Sequence, residues 1–348
     1  MQNFKIYPIN ESSLEMYKKC FDENGSSKKT ENIRWQFLQS TKSNSLVEIA
    51  FDEDKSKVAA IYAISSVKMQ IDGNSLVGSQ SLDTITDVDY RGLGLFITMA
   101  KSVYEKADND KVALVYGFPN GNSIKGFKKW LGWEILDPVP FLIKPLKSKY
   151  FTNKIKALQF FPNVNLSYSS YKSNKKFSVI EKHIFSEEVN VIWKKFSNKI
   201  KVAVERDKKY LDWRYIQKPN ENYKIAHCYR IDNKYLGFIV YTVKEKHNGR
   251  IGYIMELMYD LEEPTAGKTL LDYAIYNIKK EKADCILSWC LEHSPNYPVF
   301  KRSFFIDLPE KYRPIELHFG VRAFTDKIKS IVSNRENWYL SYSDSDTV

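Results

Sequence analysis

The 348-residue chain has little of the chemistry that builds disulfides or metal sites, with four cysteines and five histidines in all. Cys20, Cys228, Cys285 and Cys290 form neither a CxxC pair nor a disulfide-like set of spacings, so reduced, mostly buried thiols are expected. The histidines (His183, His227, His247, His293 and His318) are scattered, without an HxxxH or His/Cys cluster, and no metal is expected. Long hydrophobic runs are missing as well: none approaches the ~20 apolar residues of a membrane helix. The first residues, MQNFKIYPIN, lack the apolar centre of a secretory leader. A cytoplasmic protein without membrane insertion is the expectation.

Positive charge and aromatic residues are abundant. The net charge is +11, and there are 23 tyrosines, 20 phenylalanines and 7 tryptophans. Such a balance favours an anionic partner. Nucleic acid, a membrane surface or a phosphate-rich small molecule would each satisfy it. Many lysines fall in stretches such as KSNKKF and KKEKAD, where solvation accounts for them.

Two domains are expected from the length. The first half reads as a strand over Phe4 to Tyr7, a helix from near Glu11, and a short helix TENIRWQFLQS with Thr30 as its N-cap. Strands follow at SLVEIAF, KVAAIYAIS and SVKMQI, the last turning at Asp72-Gly73-Asn74. A long strand to Val88, a helix from Gly92, the strand KVALVYGF, another helix and a strand near PVPFLIKPL complete it. Residues 150–176 are polar and aperiodic, which places a boundary there. The second half repeats the order, and RDKKYLDWRYIQKP echoes TENIRWQFLQS in pairing Trp with Arg. The reading is a duplicated α/β fold with mixed sheets: residues 1–150, a linker at 151–176, and residues 177–348.

One stretch changes character abruptly. In SLDTITDVDYRGLGLFITMAKSVYE a β-branched, acidic strand gives way to an apolar helix through Tyr90-Arg91-Gly92-Leu93-Gly94. Glycines let backbone approach a ligand closely, and the first N–H groups of a helix lack intrahelical acceptors, so an anion is favoured there. Arg91 adds charge at the entrance, and Leu95, Met99 and Val103 give the helix an apolar face. The plainer alternative is two glycines that merely separate strand from helix. A dinucleotide fingerprint would need glycine where Ile97 stands.

VDYRGLGLFITMA resembles the acyl-CoA pyrophosphate loop of the GNAT N-acyltransferases, Q/R-x-x-G-x-G/A, with Asp89 at the first position in place of Gln or Arg. GFPNGNSIKGFKKWLGWE is similar to the strand-helix segment that follows in that family, with Asn120 or Asn122 near the helix start and Gly132-Trp133 closing it. Where many members carry a tyrosine general acid, this chain has Lys128. The resemblance implies an acyl-CoA site at Arg91, Gly92, Leu93, Gly94 and Leu95 with Asn120 and Asn122, and a thioester oxygen held by a backbone N–H from Thr86 to Val88. Amine acylation needs a proton acceptor; Asp83 and Asp87, an even number of residues apart, share a strand face, and Asp83 is the candidate base or relay. A water relay would serve as well, and Asp87 reads as structural.

The second half has no such loop. YDLEEPTAGKTLLDY places Glu262 and Glu263 where a phosphate would be repelled, and Gly267-Lys268-Thr269 lacks the glycine five residues earlier that a P-loop needs. It reads as a degenerate GNAT-like copy that builds the acceptor site. Trp213, Arg214, Trp289 and Arg302 are candidates for stacking a base or pairing a pyrophosphate, each also readable as packing. TDVDYRGLGLF, GFPN and WYLSYSDSDTV look like the tandem enzymes that acylate nucleotide-linked amino sugars for surface polysaccharides. That resemblance implies acyl-CoA and such a sugar as partners, with nucleic acid excluded. The sugar would be a dTDP-3-amino-3,6-dideoxyhexose, and the acyl group acetyl or 3-hydroxybutanoyl. A tRNA-dependent aminoacyl transferase of tandem type, or a non-catalytic acyl-CoA-binding module, are the alternatives.

Overall fold

The computed structural model describes residues 4–41, 45–148, 152, 160, 162–166, 175–315 and 317–348. Two mixed β-sheets, each packed against helices, form the α/β architecture expected. In the first, β1 (Phe4–Pro8), β2 (Leu46–Asp52), β3 (Lys57–Ile71) and β4 (Asn74–Thr86) are antiparallel neighbours. The helix Leu95–Asn109 then carries the chain across so that β5 (Leu114–Gly117) runs parallel to β4.

KVAAIYAIS and SVKMQI, expected as two strands, are one strand, β3, because both of its faces are covered. Ala60, Tyr62 and Ile64 pack with Met99 and Val103 of one helix, whereas Ile61 and Ala63 pack with Leu14 and Tyr17 of the helix Leu14–Glu23. At the end of β3, Asp72 and Gly73 are both left-handed (φ 48° and 78°), the geometry of a tight two-residue hairpin turn.

Short strands complete the first half: β6 (Glu134–Leu136) and β7 (Phe141–Pro145). The second sheet begins with β8 (Phe177–Glu181), while β9 (Val202–Val204) pairs with β3. It continues through β10 (Lys224–Arg230), β11 (Tyr235–Lys246), β12 (Gly249–Tyr259) and, after the helix Pro264–Lys280, the parallel strand β13 (Cys285–Trp289).

The two halves exchange strands. β7 lies in the second sheet between β13 and β14 (Ile306–Asp307), and β15 (Phe319–Ala323) lies in the first, between β5 and β6. A division into 1–150 and 177–348 therefore does not separate the sheets, and the stretch 151–176 falls mostly outside the described residues. Both exchanged strands are apolar and buried. Their pattern announces a strand but not which sheet receives it.

The repeat converges on one contact. The helix Thr30–Ile33 widens into Arg34–Leu38, as Lys208–Leu211 widens into Asp212–Ile216. Trp35 and Trp213 stack at 4.5 Å, and each indole N–H donates to the other's carbonyl, at 2.9 and 3.3 Å. Thr30 is not the N-cap: Lys29 occupies that position, and Thr30 Oγ1 instead donates to Glu15 Oε1 at 2.9 Å. All four cysteines are buried, and none forms a disulfide. Among the described residues no helix is long and apolar enough to cross a membrane.

Candidate functional site

At the glycine junction, Gly92 and Gly94 are both left-handed (φ 83° and 75°), and Gly94 is the N-cap of the helix Leu95–Asn109 with no side-chain cap. The first N–H groups of that helix are thus left to a ligand. Arg91, Gly92, Leu93 and Gly94 are exposed, while the preceding Tyr90 is buried and its hydroxyl donates to Asp52 Oδ2 at 2.9 Å. The loop is anchored on one side and open on the other. Asp89, the departure from the family pattern, accepts from Lys57 Nζ at 2.8 Å.

β4 and β5 pair only from Ser79–Val115 to Ser81–Gly117 and then part. A Cβ on Gly117 would lie 3.1 Å from the Ser81 carbonyl oxygen, so glycine allows the close approach just before the strands diverge. The gap between them is a cavity of about 600 Å³. One wall is Gln80 to Thr86 of β4, another Phe118 to Ser123, and Arg91 and Phe96 bring in the glycine junction.

Within β4 the ladder is broken. Leu82 pairs with Ala63 and Ile85 with Ile61, so Asp83 and Thr84 together oppose Tyr62, with Asp83 left-handed at φ 42°. This bulge interrupts the alternation that placed Asp83 and Asp87 on one face, and the strand ends at Thr86. Asp83 lines the cavity. Its carboxylate is ion-paired with Lys28, and Tyr17 donates to Oδ2 at 2.8 Å. Burial penalises the Lys28 ammonium, but the Asp83 and Asp346 carboxylates outweigh it and raise its pKa.

Asp87 is buried, caps the turn Val88–Tyr90, and accepts from Lys57 at 2.9 Å and Asn24 at 2.9 Å. The expected source of an oxyanion donor, Thr86 to Val88, is largely spent: Asp87 N–H donates to Ala59 O at 2.9 Å and Val88 N–H to Asn24 Oδ1 at 3.2 Å. Thr86 lines the cavity and Val88 faces solvent away from it. The disrupted stretch of ladder lies instead at Asp83 and Thr84.

Asn120 and Asn122 both line the cavity, and Asn120 Oδ1 accepts from the N–H groups of Asn122 and Ser123 (3.0 and 3.2 Å), starting the helix Ile124–Trp130. Lys128 is exposed and lies outside the cavity wall. None of the four candidate acceptor residues lines it either. Trp213 is locked against Trp35. Trp289 packs on Phe118 (5.1 Å) and Tyr342 (4.7 Å), and Arg302 is exposed at the end of the helix Tyr297–Arg302. Arg214 is buried and donates to the carbonyls of Ser343 and Ser345 at 3.1 and 2.8 Å. Tertiary packing claims Trp213, Trp289 and Arg214, which composition alone offered to a ligand.

The opposite wall comes from residues the sequence did not single out as site residues: Asp346 and Thr347 reach the cavity from the segment that follows Tyr342. The mouth of the corresponding second cleft, beyond the parallel pair β12–β13, is filled. The Tyr259 ring lies where a Cβ on Gly267 would be, 2.6 Å away, and Asn296 Nδ2 donates to Leu257 O at 2.8 Å. Glu263 is the N-cap of the helix Pro264–Lys280 and is held by Arg230 at 2.9 Å.

Behind the Asp346 segment, the Lys218 side chain is largely shielded, with Tyr223 OH (3.2 Å), the Val348 carbonyl oxygen (3.5 Å) and Glu221 (3.7 Å) near its ammonium. Burial, reinforced by Arg214, pushes its pKa from 10.5 down to about 7. Between those values the unfolded chain binds the proton and the folded one does not, so this group makes stability rise with pH across the window. Lys218→Met is expected to flatten the dependence of unfolding free energy on pH between 7 and 10 by up to about 1.4 kcal/mol per pH unit. Urea titrations at several pH values measure it.

The fold class agrees with known proteins. Residues 7–136 match the family model of the acetyltransferase (GNAT) domain, a match that supports an acyltransferase. Among solved structures, a probable N-acyltransferase from Enterococcus faecalis V583 is similar over 93% of this chain and 73% of its own, at 12% identity and TM-score 0.62. N-myristoyltransferase of Saccharomyces cerevisiae with bound myristoyl-CoA is similar over 94% of this chain and 80% of its own, at 12% identity and TM-score 0.63. At such identities the likeness is one of fold. No curated protein matches the sequence significantly.

Proposed function

We propose that this protein is an acyl-CoA-dependent N-acyltransferase, and that its acceptor is the amino group of a nucleotide-linked amino sugar. The observation that carries the reading is that Arg91 and Phe96, which flank the uncapped helix start at Gly92 to Leu95, line the cavity in the gap between β4 and β5, while Gly92, Leu93, Gly94 and Leu95 lie just beside it. An acyl-CoA fits that arrangement, with pyrophosphate on the loop N–H groups and Arg91, and the pantetheine arm taking the place of a strand partner along β4. Asn120 and Asn122 flank its path. The thioester carbonyl then reaches the bulge, where a backbone N–H of Asp83 or Thr84 stabilises the developing oxyanion. The acceptor amine attacks the thioester directly. Asp83, backed by Lys28 and Tyr17, relays its proton. The charge of +11 suits two phosphate-bearing substrates.

Mass spectrometry of products from a matrix of acyl-CoAs and amino-sugar nucleotides, including dTDP-3-amino-3,6-dideoxyhexoses with acetyl- and 3-hydroxybutanoyl-CoA, tests the substrate class. Asp83→Asn is expected to lower kcat by roughly 100-fold with CoA affinity retained. Unchanged steady-state kinetics would remove the role of Asp83.

A further inference from the structure

Asp83 is the carboxylate that sequence suggests, yet its oxygens are already occupied by Lys28 and Tyr17. A second carboxylate faces the same cavity. Among the described residues Asp346 has neither a hydrogen bond nor an ion pair, though it lies within electrostatic reach of both Lys28 and Tyr17.

Its placement is over-determined by its neighbours. The carbonyl before it, Ser345 O, accepts from Arg214 Nη2 at 2.8 Å, and the one after it, Thr347 O, accepts from Lys246 Nζ at 2.5 Å. Thr347 N–H donates to Ser345 Oγ at 3.0 Å, closing a tight turn around Asp346. The first half holds the segment as well, through Gln80 Nε2 to Asp344 O at 2.7 Å. Donors from both halves thus fix a short backbone segment, leaving one of its side chains free and lining the cavity. The carboxylate is exposed, and Lys28, Lys218 and Lys246 lie within electrostatic reach without pairing with it, so its oxygens stay open to a cationic ligand.

We infer that Asp346 is the group that binds the acceptor ammonium and takes its proton, and that Arg214 and Lys246 are positioning residues for it. This rests on the acyltransferase reading above. In the step assigned here the ammonium N–H bond breaks and its proton passes to the Asp346 carboxylate and on to solvent. The freed amine forms the N–C bond to the thioester carbon, the C–S bond breaks, and the amine's second proton is relayed by Asp83 to the departing sulfur. The acceptor is therefore a primary alkylamine that enters as a cation. The second half contributes to the first half's site through this segment and not through Trp213, Trp289 or Arg302.

The test compares two nucleophiles with acetyl-CoA: the best alkylamine from the product matrix, protonated near pH 7, and hydroxylamine, which is already neutral there. Asp346→Asn is expected to lose about 100-fold or more in kcat/KM with the alkylamine and to stay within about threefold with hydroxylamine. Acetyl-CoA binding, followed by calorimetry, should be unchanged. Arg214→Lys should show the same split between nucleophiles to a smaller degree. Equal loss with both nucleophiles would mean that Asp346 merely holds structure, and full alkylamine turnover in Asp346→Asn would reject the assignment outright. Wild-type protein that fails to bind acetyl-CoA, or binds it and acylates no amine, overturns the acyltransferase reading and this assignment with it.

Discussion

Replacing Arg206 with methionine is expected to destabilise the protein by about 3–5 kcal/mol, a large part of the stability of a typical domain. Its guanidinium is fully buried, donating to Glu256 Oε2 at 2.8 Å, Asp344 Oδ2 at 2.5 Å and Val204 O at 2.8 Å. Glu256 also accepts from Ser341 Oγ at 2.9 Å and from Tyr339 OH. Without the arginine two carboxylates stay buried with no cation between them. Burial already pushes Asp344 upward, against the pull of Arg206. In the variant the folded state should bind protons more readily than the unfolded one, so stability should rise as pH falls from 7 toward 5. Urea titration at both pH values measures this. Adding Glu256→Gln should recover part of the loss, since one uncompensated charge is then gone. A loss below about 1 kcal/mol would show that the cluster relaxes or takes in water.

Gly92→Val should leave stability almost unchanged and weaken CoA binding by more than about tenfold. No atom lies within 4 Å of the added Cβ, so space is not the obstacle. The obstacle is φ 83°, a left-handed conformation that costs an L-residue roughly 1–2 kcal/mol and a β-branched one more. The exposed loop can escape by rotating its peptide units, which turns the N–H groups away from the pyrophosphate. Calorimetry with CoA, alongside thermal unfolding of the unliganded variant, separates the two effects. Retained affinity would place the phosphates elsewhere.

The glycine junction was legible because its geometry is local: two left-handed glycines and a helix start decide where its N–H groups point. The echo between TENIRWQF and KKYLDWRY was legible too, and it goes further than similarity. Lys28 stands seven residues before Trp35, as Arg206 stands seven before Trp213. Each cation pairs with a carboxylate on a strand next to a register shift, Asp83 on β4 and Glu256 on β12. In the second half that pair is sealed in a filled cleft. In the first it lines an open cavity. Asp346 was not legible: nothing in SYSDSDTV distinguishes a polar surface end from a segment whose carbonyls are gripped by Arg214 and Lys246.

By itself the sequence determined most of the elements, the repeat and the glycine turn that opens a helix, since periodicity, glycine conformation and helix starts act over a few residues. Tertiary structure alone decided that β7 and β15 change sheets, that Trp213 and Arg214 serve packing and positioning, and that the second half delivers a carboxylate to the first half's cavity. Those outcomes depend on which surfaces meet across hundreds of residues. A hydrophobic pattern states that a face is buried, and only the assembled sheets state against what.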